Sequence, residues 1–405
     1  MGDLLPRAAV ALLLLLLSSS SPKPVAGTRP SLGAVGRRYD SIFSFGDSYT
    51  DTGNSPVAFA WYDVANPVMR PPYGSTFFGR PTGRCCDGRL VIDLSVPERL
   101  DLPLVPPFLA HGHGDGSLRR GTNFAVGSAT AVNASFFHHD EEAPDLLFPI
   151  NVSLSVQLQW FESLKPSLCA TPKEGPPMGM AAPTSRHYVA VLLLSIHTGD
   201  YGAARPSPAG PARSRRRAAE VGKRPQPPVP TSRSSDSLRF APWMTHPHRD
   251  LVVSGMVPAG CVPSFLVLFD GADPASYEPR TGCLKEMNEL SIHHNTLLQE
   301  SLEKIRARRP DVEVAYADLF SAVMAMVESP GKYGFQEDVL VGCCGGPGRY
   351  HFNADIICGD PGADTCEDPS ACLFWDVTHL TEAANRYIAD EWLSSINSPA
   401  TTRAG

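Results

Sequence analysis

The stretch from Ser41 to Asn54, "SIFSFGDSYTDTGN", decides the fold class. Residues 41–45 form a short apolar run, the pattern of a strand buried on both faces. Polar residues follow immediately after Gly46, and Ser48 stands among them. In open α/β sheets, sites lie beyond the carboxyl ends of the strands. Ser48 is therefore well placed as a nucleophile at a strand-to-helix turn. Its own N–H, near a helix N-terminus, is placed to help hold an oxyanion.

Four more short apolar runs read the same way: "NFAV" (123–126), "YVAVLLLSI" (188–196), "LVVSG" (251–255) and "VEVAYA" (312–317). Helical patterns lie between and after them. Leu284, Met287, Leu290, Leu297, Leu298, Leu302 and Ile305 keep helical spacing up to Arg308, and Pro310 follows. "LFSAVMAMVE" sits behind Asp318, a helix cap, and stops before Pro330. A last helix begins near Thr381 and carries Ala384, Tyr387, Ile388 and Trp392 on one side. Strands alternating with helices predict an α/β protein, an open parallel sheet covered on both faces.

A serine hydroxyl needs a base. The candidate lies at the other end of the chain, in "FWDVTHL", where Asp376 and His379 are three residues apart. In a tight turn that spacing lets the carboxylate reach Nδ1 of the imidazole. Nε2 is then free to take the Ser48 proton. Taken alone, D-x-x-H more often marks a metal-ligand pair or a plain surface turn. No G-x-S-x-G elbow occurs anywhere, so the ordinary α/β-hydrolase pattern fails.

The 405 residues are 42% hydrophobic and 19% charged, enough to build a sizeable core, and the net charge of −7 points to neither nucleic acid nor an acidic membrane. The N-terminus reads as a secretory leader over residues 1–27: Arg7, the apolar run 8–17, then small residues ending Val25-Ala26-Gly27. That run is too short to span a bilayer, so no stable membrane insertion is expected. Ten cysteines without a C-x-x-C pair fit an oxidising compartment and argue against a zinc or thioredoxin-like site. The triplets at Asn133 and Asn151 are glycosylation candidates. His111 and His113 in "HGHGDG", and His138 with His139, read as surface loops rather than metal ligands.

Three ordered blocks, "FSFGDSYTDTGN", "GTNFAVGSATA" (121–131) and "FWDVTHLTEAANRYIADEWL" (374–393), resemble the plant GDSL esterase/lipase family of the SGNH hydrolases. The likeness runs from about Tyr39 to Leu393 and takes in "GRLVIDLS" (88–95), "VPAGCVPSF" (257–265) and "GFQEDVLVGCCGGPGRYHFN" (334–353). It implies a flavodoxin-like, three-layer α/β/α sandwich with about five parallel strands, a single domain over residues 39–395. It implies Ser48 as nucleophile, His379 as base, Asp376 as the group that orients it, and an oxyanion hole made by the amides of Ser48 and Gly127. Many relatives have two glycines at this place, and this chain has Ser128 second. The likeness also implies a disulfide between Cys261 and Cys283, and another between Cys358 and Cys366. Arg89 and Asp93 read as structural. The expected protein is a secreted, extracellular carboxylic ester hydrolase of the apoplast or cell wall, working without metal or organic cofactor on a small-molecule or cell-wall ester.

Two features break the pattern. The family's third block reads like G-G-N-D-Y, whose asparagine is a third oxyanion donor; here "IHTGDYG" puts Gly199 in that place. Losing one such donor costs about 100- to 1,000-fold in kcat. Second, residues 202–250 have no apolar periodicity where relatives have amphipathic helix. Between Arg205 and Arg249 stand ten Lys/Arg, nine Pro and only two acidic residues, too little apolar surface to offset the entropy of ordering. The plainest reading is a gene-model fault, a retained intron or a shifted frame. The others are a disordered loop and a basic patch, "RSRRR" (213–217), for polyanions such as pectin. The alternative to an active esterase is thus an impaired scaffold that binds an ester or cell-wall glycan.

Overall fold

Among the described residues, five parallel strands form one sheet in the order β2-β1-β3-β4-β5: β1 Ser41–Gly46, β2 Gly121–Asn123, β3 Tyr188–Leu193, β4 Arg249–Ser254 and β5 Val312–Ala317. The computed structural model describes residues 39–63, 65–100, 102–111, 116–131, 152–169, 188–193, 249–270 and 273–397. The expected leader 1–27, the glycosylation candidates Asn133 and Asn151, His113, His138, His139, Gly199 and residues 202–248 of the atypical segment 202–250 lie outside the described residues. Residues 39–405 fall in one compact unit.

The period of two along each strand divides the core between the two faces of the sheet. Phe43 and Phe45 of β1, Leu251 and Val253 of β4, and Val312 and Val314 of β5 pack with Phe161, Leu164 and Leu302 from the helices Leu154–Cys169 and Lys285–Arg308. Ile42, Val252 and Ala317 face the opposite way. They meet Leu94, Val323, Met326, Ile388 and Trp392 from the helices Val91–Leu100, Leu319–Glu328 and Glu382–Asn397. Burying that much apolar side chain on both faces is the main stabilising term, at about 1.5–3 kcal/mol for each large residue. Capping agrees with expectation at Asp318, whose carboxylate accepts the Ser321 N–H at 3.0 Å.

Several expectations shift. The second strand is Gly121–Asn123, not 123–126; beyond it the chain bends, although the Phe124 and Val126 amides still bond Ser44 and Gly46 carbonyls at 2.8 and 3.2 Å. Tyr387 is exposed on its helix, against the rings of Tyr333 and Phe335, while Ala384, Ile388 and Trp392 are buried. Cys261–Cys283 is a disulfide, but Cys358 pairs with Cys344 and Cys366 with Cys343. The vicinal pair Cys343-Cys344 sends its thiols to two different partners because Cys344 opposes Thr365 in a short antiparallel ladder, which brings Cys366 beside Cys343.

Two arginines of "GRCCDGRLVID" (83–93) anchor it through ion pairs. Arg84 grips Asp93 with Nε and an NH2 group at 2.7 and 2.8 Å, both residues buried. Arg89 pairs with Glu382 at 2.6 Å, tying this segment to the last helix. The expected structural role of Arg89 and Asp93 matches these contacts.

Candidate active site

The carboxyl end of β1 is held by a side chain that sequence reasoning missed. Gln157 accepts the Gly46 N–H at 2.9 Å and donates to the Gly46 carbonyl at 2.7 Å, both buried. Amide side chains that bond both backbone groups of one residue leave it no freedom to shift. Ser48 follows in a tight turn in which the Thr50 and Asp51 amides bond the Asp47 carbonyl.

The rest of the first block is a clamp. Asp51 is buried and accepts the Gly53, Asn54, Ser55 and Gly127 amides. Burial pushes its carboxyl up, and these bonds oppose the shift. Asn54 donates to the Asn123 and Ala125 carbonyls at 2.9 and 2.8 Å, and accepts the Leu109 N–H. The polar letters after the serine therefore join the first block to the second. At Gly127 there is no room for a side chain, since a Cβ would stand 2.7 Å from Ser55 Oγ.

From the other end of the chain, the turn 374–379 is fixed on three sides. The Cys343 and Cys344 amides bond the Phe374 and Trp375 carbonyls, Trp375 N–H bonds the His379 carbonyl at 2.7 Å, and Ser264 N–H bonds the Val377 carbonyl. Asp376 Oδ1 accepts the Thr378 and His379 amides at 2.8 and 2.7 Å. Its Oδ2 accepts the Tyr73 hydroxyl at 2.9 Å. Both carboxylate oxygens lie 2.9 Å from His379 Nδ1, and His379 Nε2 lies 2.8 Å from Ser48 Oγ. The three residues, 331 positions apart at the extremes, form one hydrogen-bonded chain.

Burial opposes charge on His379, but the adjacent Asp376 carboxylate outweighs it and holds the imidazole well above its usual value. For Asp376 burial pulls up, and the His379 charge with its hydrogen bonds wins and holds the carboxyl low. Burial pushes the Cys85 thiol up against the pull of His379, so it stays protonated and adds little charge of its own. Burial, with Asp376 beside it, also keeps the Tyr73 phenol protonated. An imidazole poised against a carboxylate on one side and a serine hydroxyl on the other can accept a proton from that hydroxyl.

The expectation for Gly127 meets a correction. Its N–H donates to Asp51 Oδ2 at 2.9 Å and Ser55 Oγ at 2.7 Å, so it is committed to the clamp and not presented to a ligand beside Ser48. The next residue, Ser128, has φ of 67°, in the left-handed region that favours glycine. That conformation matches a second glycine at this place.

A cavity of about 240 Å3 opens against Ser48, His379 and Ser128. Phe59, Val68, Ile356, Ile357 and Val377 give it mainly apolar walls. One wall is the loop stapled by Cys343–Cys366 and Cys344–Cys358. Among the described residues, the group Cys343, Cys366 and Cys372 has the closeness of a metal site, but two of its sulfurs are joined to each other as a disulfide. No described helix is long and apolar enough to cross a membrane.

Residues 42–392 match the profile of GDSL-like Lipase/Acylhydrolase. The chain belongs to the GDSL-like lipase/acylhydrolase family. It is 38% identical over 372 residues to the Arabidopsis thaliana GDSL esterase/lipase At5g45910, covering 90% of this chain and 92% of that protein. With At1g31550 of the same plant it shares 39% over 357 residues, 87% and 83% of the two chains. With the sinapine esterase of Brassica napus it shares 35% over 385 residues, 94% and 90%. This GDSL chain is accordingly a carboxylic ester hydrolase acting on a small-molecule ester.

Proposed function

We propose that the protein hydrolyses esters through an acyl-enzyme with Ser48 as nucleophile, His379 as general base and Asp376 as the group that orients and charges the imidazole. The 2.8 Å contact between His379 Nε2 and Ser48 Oγ, continued through Nδ1 to Asp376, is the observation that carries this reading. Ser48 Oγ adds to the ester carbonyl as its proton passes to Nε2. The Ser48 amide receives the oxyanion. His379 returns the proton to the departing alcohol, then takes a proton from a water that adds to the acyl carbon; the bond to Oγ breaks, the acid leaves, and His379 gives the proton back to Ser48 Oγ.

The sheet order 2-1-3-4-5 with helices on both faces supports a flavodoxin-like α/β/α sandwich as the fold class. The name of the sinapine esterase relative supports phenolic choline esters as one substrate class, beside short-chain, acetylated carbohydrate and lipid esters. The apolar leader supports secretion into the apoplast or cell wall.

Labelling with a fluorophosphonate followed by peptide mass spectrometry tests the nucleophile. The proposal requires the adduct on the peptide carrying Ser48, and labelling confined to another serine defeats it. Gly199, with no side-chain donor, favours a second reading in which the site binds esters but turns them over slowly. Stoichiometric labelling at Ser48 with no measurable turnover would select that reading.

A further inference from the structure

Asn66 stands at the start of a short 3-10 turn, Pro67–Met69, and lines the same cavity as Ser48 and His379. Its Oδ1 accepts the Val68 N–H at 3.1 Å, which fixes the orientation of the amide. Its Nδ2 is then a buried donor with no hydrogen-bond partner among the described residues. Leaving such a donor unpaired is costly, and native proteins rarely tolerate it outside a functional site.

The neighbouring polar side chains are all committed. Asn353 donates to the Pro347 carbonyl and accepts the Asp355 and Ile356 amides. His351 is held by the Gly342 carbonyl and by Asp364. The Ser55 hydroxyl lies between Asp51 and the Gly127 amide, and the Tyr73 hydroxyl is on Asp376. Among the described residues, Asn66 thus carries a buried uncommitted donor on a mainly apolar wall.

Asn66 borders the cavity on the side of the stapled loop. Val68 packs with Cys344 and Cys358 of the stapled loop, and the Pro67 carbonyl and Arg70 lie beside Gly359. Ser48 instead stands against Gly127, its Cβ 3.7 Å from where a Gly127 Cβ would be.

We propose that Asn66 is a specificity residue whose Nδ2 donates a hydrogen bond to an oxygen of the substrate outside the reacting carboxyl group. The favoured substrates are esters whose acyl or alcohol part carries an ether, hydroxyl or carbonyl oxygen, ahead of esters built of plain hydrocarbon. The inference rests on the reading of this cavity as the ester site. A pocket built to bond an oxygen rejects the analogue without it more strongly than an apolar pocket rejects a missing methylene.

The test compares the intact protein with Asn66→Ser, which keeps the acceptor for the Val68 N–H but withdraws the long donor, and with Asn66→Asp, which turns the donor into an acceptor. One probe series is nitrophenyl hexanoate with its ether analogues, in which oxygen replaces each chain methylene from the third carbon outward in turn. The other is butyl acetate against methoxyethyl acetate. In both variants, kcat/KM for at least one oxygen-bearing ester is expected to fall about 10-fold relative to its hydrocarbon partner. Ratios that stay constant across both series overturn the inference, as does an equal loss on both members of every pair. Ser48→Ala, run beside them, separates the two claims. If it abolishes turnover while the ratios stay constant, the site stands and the role of Asn66 falls. If it leaves turnover intact, the site reading fails and this inference with it.

Discussion

Replacing Asp376 by asparagine removes one charge and leaves the shape of the turn. Oδ1 can still accept the Thr378 and His379 amides, now at 2.8 and 2.7 Å, so the amide nitrogen must take the place of Oδ2. That nitrogen then donates to His379 Nδ1 and forces the imidazole proton onto Nε2. An Nε2–H cannot accept from Ser48 Oγ, which lies 2.8 Å away. The wrong tautomer costs about 10,000-fold in kcat, about 5 kcal/mol. A second effect concerns pH. Burial alone holds His379 down and the Asp376 charge outweighs it, so activity of the native protein rises with pH through a midpoint above about 6.5, as the imidazole loses its proton. In the asparagine variant that charge is gone, and the midpoint of the residual activity moves to lower pH than in the native protein. The Tyr73 hydroxyl also loses its acceptor at Oδ2, a further stability cost of about 1–3 kcal/mol. The assay is kcat and kcat/KM for a short-chain chromogenic ester from acid to mildly alkaline pH, with circular dichroism to confirm folding. A folded variant that keeps more than a tenth of native kcat, or keeps the native midpoint, refutes the reasoning.

Arg84→Ala leaves Asp93 buried without its bidentate partner and should destabilise by about 3–5 kcal/mol, read from urea unfolding. Gln157→Leu strips both backbone groups of Gly46 of their buried partners; a loss of about 2–5 kcal/mol together with a fall in kcat is expected, because Ser48 hangs from that strand end. Ser128→Gly relieves a left-handed conformation and should stabilise by about 1 kcal/mol, seen as a rise in Tm of a few degrees at most.

Much of this arrangement was legible because it is carried by local pattern. Buried strands announce themselves as short apolar runs, and four of the five runs fall on strands within a few residues of the expected bounds. Ser48 at a strand end and Asp376 three residues before His379 were readable from spacing, and the three side chains do meet. What escaped was set by contacts between distant segments. The direction of the Gly127 amide depends on Asp51 and Ser55 reaching across to it. Gln157 carries no motif; its role follows from where its helix lands beside Gly46. The disulfide exchange between Cys358 and Cys366 follows from the pairing of Cys344 with Thr365, which no cysteine spacing encodes. Asn66 could have been noticed only as an asparagine before proline, a common turn signal that says nothing about a free amide.

The most direct measurement is hydrolysis of a short-chain nitrophenyl ester by the full chain beside its Ser48→Ala variant, both shown to be folded. The account predicts turnover by the native chain that falls at least about 1,000-fold in the variant. Equal rates from the two proteins would contradict it, because the ester would then be cleaved without the hydroxyl that His379 faces.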